Sequence, residues 1–317
     1  MKGRSILIQP DPVQSIYASK TILGLVKSGE TLLQSYKIGN DPRLEAEILL
    51  SALLKGSRLD LYLKNDQPVD PSLAGQFHSM LDRRGNHEPL QYITGKQLFL
   101  NRTFSVGPKV LIPRPETEGL VLEALHFLKE GPFLDLGTGS GCIAISLLLE
   151  DQKCREGYAV DVSAEALSFA GKNAETLGVS SSLRLFEGDL FAPLPGVLKS
   201  SFEVVVSNPP YLDMELDDIE PSVRHFEPKQ ALDGGPGGLK YYERIFGEVG
   251  QWLKKGGHLI LEIGYGQKAR LLELLEKFPL LTLLRVTPDE QGIDRVVTIA
   301  YDEKSFLLLR EKGFSGL

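Results

Sequence analysis

The chain has 317 residues, 42% of them hydrophobic and 24% charged, with a net charge of −7. That length calls for two domains, since one core seldom grows beyond about 250 residues, and nothing in it approaches the roughly 18 uninterrupted apolar residues of a membrane span. Its cysteines are Cys142 and Cys154 alone, without a Cys-x-x-Cys pair, which argues against a disulfide framework or a cysteine metal cage and fits a reducing, cytoplasmic setting.

The start, MKGRSILIQPDPVQS, lacks the apolar stretch and cleavage site of a secretory leader, so secretion is not expected. The segments TILGLVKSGETLLQSY, DPRLEAEILLSALL, SRLDLYLKN and PSLAGQFHSMLDRRG space Leu, Ile and Phe by three and four residues, which predicts helices. Asp41 followed by Pro42 reads as an N-cap and first helical position. No chemistry is visible there, and residues 1–95 are expected to form a small helical docking domain. The period then changes. LFLNRTFSV reads as one strand, broken by Gly107-Pro108, with KVLIP as its partner. Residues 96–113 would thus be a hairpin linker and 114–317 a second domain.

From Gly131 onward, apolar strands alternate with helices. PFLDLG, GYAVDV, SLRLFEGD, FEVVVSN, HLILEIG, LLTLLRVTP and DRVVTIAYD give seven strands, with SGCIAISLLLE, SAEALSFAGKNAETLG and the region around GLKYYERIFGEVGQWLKK as helices. This pattern predicts an α/β fold with a doubly wound, mostly parallel seven-stranded sheet covered on both faces. The last two strands, around the turn DEQGI, are expected to form an antiparallel edge pair. Cys142, inside a helix, is expected to be a small buried apolar residue. The tail after Asp302 carries no pattern that assigns it a role.

Glycines between the first strand and its helix, in DLGTGSG, let the backbone pass close to a ligand. Gly137, Thr138, Gly139, Ser140 and Gly141 are the candidate cofactor loop, against the plainer reading of a tight turn. A dinucleotide fingerprint would need Gly or Ala at position 142, where Cys142 stands; G-x-G-x-G better suits S-adenosylmethionine (SAM). Asp161, at the end of the second strand, can accept both hydroxyls of a ribose, which supports a nucleoside without choosing between SAM and a dinucleotide. Asp189, near the end of the third, is a candidate for an adenine amino group, with Leu190 beside the ring; a solvated turn is the plainer alternative.

VVVSNPPYLD, Val204–Asp213, runs a strand into two prolines that cannot extend a ladder. Fixed φ at Pro209 and Pro210 stiffens the bend. The Asn208 side-chain oxygen and the Pro209 carbonyl can each accept one hydrogen from a planar –NH2, with Tyr211 against the attached π-system. The motif is a clamp for a conjugated amine: a carboxamide, or the exocyclic amine of adenine or cytosine. Asn208, Pro209 and Tyr211 are the candidate catalytic residues. Pro210 joins them in holding substrate, and Asn208 also borders the cofactor. No base is expected to be needed before transfer.

The ordered set QYITG (91–95), LIPRPETE (111–118), DLGTGSGCIAISL (135–147), AVDVSAEAL (159–167), NPPYL (208–212) and FEPKQAL (226–232) resembles the HemK/PrmC family. These are protein-(glutamine-N5) methyltransferases of peptide chain release factors, and EIGYGQ (262–267) and GIDR (292–295) extend the resemblance. It implies a Rossmann-like, class I SAM-dependent fold, SAM as cofactor and, as substrate, the glutamine of the Gly-Gly-Gln motif in class I release factors, which act in translation termination. It also implies that Asn208 to Tyr211 hold the glutamine amide, Gly137 to Gly141 with Asp161 hold SAM, and the helical domain grips the release factor. DGGPGG (233–238) departs from the family at Pro236 and Gly237 and is expected not to touch the clamp. LIPRPETE reads as a helix start with Glu116 and Glu118 in its first turn and Arg114 paired to an acid; the resemblance instead implies a loop beside the cofactor, closing its methionine end.

The alternative is an amino-methylating DNA or RNA enzyme, because a flipped base offers the same planar amine. Residues 1–100 hold 12 basic against 10 acidic side chains and the remainder 23 against 32, which argues against a long nucleic-acid footprint. A dinucleotide oxidoreductase would leave NPPY without a role. His78, His87, His126, His225 and His258 lack metal-ligand spacing, so no metal is expected. Glu262 is a candidate buried carboxylate without an assignable partner.

Overall fold

The computed structural model describes residues 20–39, 41–150 and 156–301. Cys154, the N-terminal lead and the tail after Asp302 lie outside them. The chain divides into two compact units, Met1–Gly95 with Pro221–Phe226, and Lys96–Glu220 with Glu227–Leu317.

The first unit contains α1 (Ile22–Tyr36), α2 (Pro42–Leu53), α3 (Arg58–Leu63), α4 (Pro71–Gly85) and α5 (Leu90–Thr94). Each of the first four starts on a side-chain cap: Thr21, Asp41 ahead of Pro42, Ser57 in a capping box with Asp60, and Asp70 ahead of Pro71. Their apolar stripes meet at Leu25, Leu33, Leu49, Leu50, Phe77 and Leu81, all fully buried. Each such side chain contributes about 2 kcal/mol by leaving water. A Cβ on Gly29 would stand 2.9 Å from the Phe77 ring and 3.0 Å from the Ala46 methyl, so glycine there sets how closely α1 packs. Buried Glu47 accepts from Arg43, Arg58 and the Tyr62 hydroxyl, which satisfies its charge.

The second unit opens with a hairpin, β1 (Lys96–Phe99) and β2 (Arg102–Ser105), paired antiparallel. The hairpin therefore turns inside LFLNRTFSV, and KVLIP is not its second strand. Leu100 and Asn101 both take left-handed φ, 44° and 59°, giving a two-residue turn whose twist matches the strands. Neither residue is glycine, so the usual cue was missing.

A seven-stranded sheet follows. Its strands are β3 (Phe133–Leu136), β4 (Gly157–Asp161), β5 (Leu183–Glu187), β6 (Phe202–Ser207), β7 (Leu253–Glu262), β8 (Leu281–Pro288) and β9 (Asp294–Tyr301), in the order β5-β4-β3-β6-β7-β9-β8. The first five run parallel; β9 is antiparallel to both β7 and β8, so the late pair is present with β9 inserted inside the edge. Helices α6 (Glu118–Phe127), α7 (Cys142–Glu150), α8 (Ala164–Thr176), α9 (Lys240–Glu248) and α10 (Lys268–Leu275) complete the unit. The expected helices are in place. Two more, α6 and α10, complete the alternation. β3 and β6 are buried at every position, as a sheet covered on both faces requires. Cys142 is buried in α7, and burial pushes its thiol up to about 12.

Register decides what meets at the carboxyl edge. Leu136 lies opposite Val160 on one side and Ser207 on the other, and Ser207 lies opposite Leu261. Gly137, Asp161, Asn208 and Glu262 are each the next residue along their strands, so four strands release them from one level. The order reverses between β3 and β6, the switch point where open α/β sheets bind ligands.

Candidate active site

The glycine loop leaves β3 with φ of 70° at Gly137, 56° at Gly139 and 79° at Gly141, values that side chains with a Cβ resist. Gly137 and Thr138 donate their N–H groups to the Val160 carbonyl at 2.8 and 3.0 Å, which anchors the loop to β4. The Thr138 hydroxyl donates to Asp135 Oδ2 at 2.6 Å. Asp135 is wholly buried, and that burial pushes its carboxyl up to about 7.

Asp161 Oδ2 accepts from the Gly139 N–H at 2.8 Å and Oδ1 from the Ser163 N–H at 2.9 Å. Burial raises this carboxyl, and the two amides partly offset the effect. The structure thus ties two of the expected cofactor groups into one body. Ser140 adds its carbonyl, which accepts from Asn173 Nδ2 at 2.9 Å, while Asn173 also bonds both backbone groups of Ser105 at the end of the hairpin. Asn173 had no sequence cue, because it lies in the middle of a helix.

Asp189 stands apart from this network. Its carboxylate is half exposed and pairs with Arg244 on α9 at 2.7 Å. Leu190 takes φ of 49° and packs against the main core cluster.

On β6's side, Asn208 donates from Nδ2 to the Thr117 hydroxyl at 3.2 Å. The Tyr211 hydroxyl lies 3.5 Å from Glu262 Oε1, and its own carbonyl accepts from Gln267 Nε2 at 2.7 Å. Burial and the Glu262 charge raise the Tyr211 phenol, so it stays protonated. A Cβ on Gly264 would meet the Tyr211 ring at 2.8 Å, so glycine there lets the ring approach the strand end.

The loop 233–238 is also part of this frame, contrary to the expectation that it stands clear of the clamp. Leu212 donates to the Leu232 carbonyl at 2.9 Å and Gly234 to the Leu212 carbonyl at 2.8 Å. A Cβ on Gly234 would come within 2.7 Å of the Pro210 oxygen, and one on Gly238 within 2.1 Å of the Tyr211 oxygen. Gly237, one of the two departing residues, donates to Asp213 Oδ2 at 2.8 Å. The glycines are there because the clamp's backbone lies against them.

The helix-start reading of LIPRPETE is met: Pro115–Thr117 forms a single tight turn that runs into α6. Arg114 pairs with Glu227, a 1% exposed side chain that also accepts from the Ile112 N–H at 3.2 Å. Glu262 is 1% exposed, and burial pushes it up to about 7 against opposing hydrogen bonds from Thr117 and Tyr211. His78, His126 and His225 each bond the carbonyl four residues earlier, and His258 lies against the Phe127 ring.

Residues 116–224 match the methyltransferase small domain. With a glycine loop, a strand-end Asp and an Asn-Pro-Pro-Tyr bend on adjacent strands of this sheet, the class is a SAM-dependent methyltransferase. Residues 25–95 match the PrmC N-terminal domain. A release factor glutamine methyltransferase of Geobacter sulfurreducens is 40% identical over 257 residues, 80% of this chain and 88% of its own length. Another, from Nitratidesulfovibrio vulgaris, is 38% identical over 281 residues, 87% of this chain and 94% of its own. This chain belongs to the release factor glutamine methyltransferase family. Among solved structures, a methyltransferase from Pyrococcus furiosus aligns with a TM-score of 0.47 at 20% identity, covering 62% of this chain and 87% of that one.

The residues present fit SAM. Nothing lies within 4 Å of where a Gly137 Cβ would stand, and only a Val110 methyl at 3.8 Å faces that of Gly139, so the loop is open to a close ligand. Asp135 Oδ1 and Ser140 Oγ, both buried beneath it, have no hydrogen-bond partner. Carboxylates at Asp135 and Asp161 suit a ligand carrying positive charge and ribose hydroxyls. Among the described residues, no cluster of His, Cys, Asp and Glu could hold a metal, and no helix is long and apolar enough to cross a membrane.

Proposed function

We propose that this chain methylates the side-chain amide nitrogen (N5) of the glutamine in the Gly-Gly-Gln motif of class I peptide chain release factors, in the cytoplasm. The observation that carries the reading is the common level of Gly137, Asp161 and Asn208 on neighbouring strands, followed by two prolines without N–H groups. Cofactor loop and amide acceptors thereby border one crevice.

In this reading Gly137 to Gly141 and Asp161 hold SAM, with Asp189 and Leu190 on the adenine side and Asn208 bordering both ligands. Bound SAM supplies an electrophilic methyl group. The chain's own part is to bind and orient the amide. Asn208 Oδ1 and the Pro209 carbonyl each accept one N–H of the glutamine, Pro210 holds the bend, and Tyr211 packs against the amide plane.

An amide nitrogen is a poor nucleophile because its lone pair is delocalised, as the roughly 18–20 kcal/mol rotation barrier records. Two acceptors on its hydrogens return density to nitrogen as positive charge develops, and fixed placement supplies more of the rate. The nitrogen gains the methyl and sheds one proton to water. Asp213 is not needed as a base: its carboxylate already caps a turn, accepting from Gly237 and Glu215. The acidic balance of residues 101–317 supports a protein substrate over nucleic acid.

Mass spectrometry of a release factor after incubation with SAM tests this directly. One added methyl on the Gly-Gly-Gln glutamine is expected, and Asn208→Ala should keep SAM binding while losing most turnover. An unmodified release factor, or a fully active Asn208→Ala, overturns the reading.

A further inference from the structure

Pro209 and Pro210 leave the middle of the Asn208–Tyr211 bend without backbone donors, so its far end needs anchors from elsewhere. Leu212 is held by backbone groups of Leu232 and Gly234. Tyr211 is held by a side chain. Its carbonyl accepts from Gln267 Nε2 at 2.7 Å, and Gln267 Oε1 accepts from the Gly264 N–H at 2.8 Å. Gln267 is 4% exposed and stands at the N-cap position of α10, yet its side chain makes no capping bond.

We infer that Gln267 is a positioning residue for methyl transfer, a strut that sets where the Pro209 carbonyl and the Tyr211 ring meet the substrate amide. This rests on the reading of the Asn-Pro-Pro-Tyr bend as a clamp for that amide. A carboxamide donates at one end while it accepts at the other, and both partners of Gln267 are backbone groups of fixed polarity. The Gly264 N–H can only donate and the Tyr211 carbonyl can only accept, so the Gln267 amide has one direction. Neither an apolar side chain nor an ionised carboxylate can serve both partners. Because φ is fixed at Pro209 and Pro210, a shift at Tyr211 is passed back along the bend instead of being absorbed.

Two glycines keep the space around the strut clear. A Cβ on Gly264 would lie 2.9 Å from Gln267 Oε1, and one on Gly238 would lie 2.3 Å from Nε2. These are the same two positions whose Cβ atoms would meet the ring and the oxygen of Tyr211. One compartment therefore holds the Gln267 amide and the back of Tyr211 together.

The test uses the full chain with Gln267→Glu and Gln267→Leu. Release factor methylation between about pH 6 and pH 9 gives kcat and KM, calorimetry gives SAM affinity, and thermal melting sets a temperature at which each chain is folded. Near pH 9 both variants should turn over about 100-fold more slowly than wild type, the cost of misplacing a reacting group, with SAM affinity and KM changed by no more than about threefold. As pH falls, a carboxyl buried at this position takes up a proton. Its hydroxyl then donates to the Tyr211 carbonyl, and its other oxygen still accepts from Gly264. The kcat of Gln267→Glu relative to wild type should therefore rise by about tenfold or more toward pH 6, while that of Gln267→Leu stays flat. Glu262 and the Tyr211 phenol are common to all three chains, so the ratio to wild type removes their own titration. The inference falls if the Gln267→Glu ratio is flat, or if Gln267→Leu turns over like wild type. Should Gln267→Leu not fold, the profile of Gln267→Glu decides alone. A wild-type chain that leaves the release factor unmodified overturns the functional reading and this inference with it, whereas a flat ratio beside an active wild type overturns this inference alone.

Discussion

The Gly139 amide and the Asp161 carboxylate face each other across 2.8 Å, joining the glycine loop to the end of the neighbouring strand. Asp161 therefore shapes the loop and, in the proposed reading, also offers acceptors to the ribose of SAM. Asp161→Ala removes both roles. Losing hydrogen bonds to a charged group costs about 1.5–3 kcal/mol each, so SAM affinity measured by calorimetry should drop at least tenfold.

Gly238 carries two constraints, φ of 71° and a Cβ position 2.1 Å from the Tyr211 oxygen. Gly178 carries only the first, with φ of 79° and nothing within 4 Å. Gly178→Ala should cost about 1–2 kcal/mol in denaturant unfolding, the penalty of left-handed backbone alone. Gly238→Ala should cost more and also reduce methyl transfer sharply, because the clamp backbone must move. Equal effects from the two would show that the Tyr211 contact does not matter.

Arg114 is the charged partner of Glu227, whose side chain is 1% exposed. Arg114→Ala leaves that carboxylate with the Ile112 amide as its remaining partner among these contacts. Stripping a buried charge of one partner should lower unfolding stability by about 1–3 kcal/mol in urea titration. Arg114→Lys should recover only part, since a single ammonium lacks the planar fork.

Glu262 is raised from 4.5 to about 7, so between those values the folded chain keeps a proton that the unfolded chain releases. Its burial therefore costs stability progressively as pH rises from 4.5 to 7, and the full cost, about 3 kcal/mol, persists above pH 7. Glu262→Gln does not titrate. Its melting temperature relative to wild type should be higher at pH 8 than at pH 5. Glu47, Glu123 and Glu203 are lowered and pull the opposite way, but they cancel in the comparison of variant with wild type.

The sheet was legible because buried parallel strands read as unbroken apolar runs, as in FEVVVS, and because Gly137, Asp161 and Asn208 each end one. Proline pairs and glycine loops announce themselves by backbone chemistry. The links that complete the site do not. Thr117 meets Asn208 across 91 residues, and Arg114 meets Glu227 across 113. No local period records such pairs. The misplaced hairpin turn had a related cause, since Leu100 and Asn101 hold left-handed φ without the glycine that usually marks it. The 233–238 loop was set apart from the clamp for want of any pattern tying Gly238 to Tyr211.

The sheet's two rims are unequal in what they tolerate. At the carboxyl rim, Gly137, Asp161, Asn208 and Glu262 emerge side by side, and side chains alternate faces at every step along a strand. Adding or deleting a single residue within β3, β4, β6 or β7 would turn one of the four toward the wrong layer and dismantle the crevice. Extra length at the amino rim, where each of these strands begins, leaves that alignment untouched, so lineage-specific insertions should collect there and spare the strands.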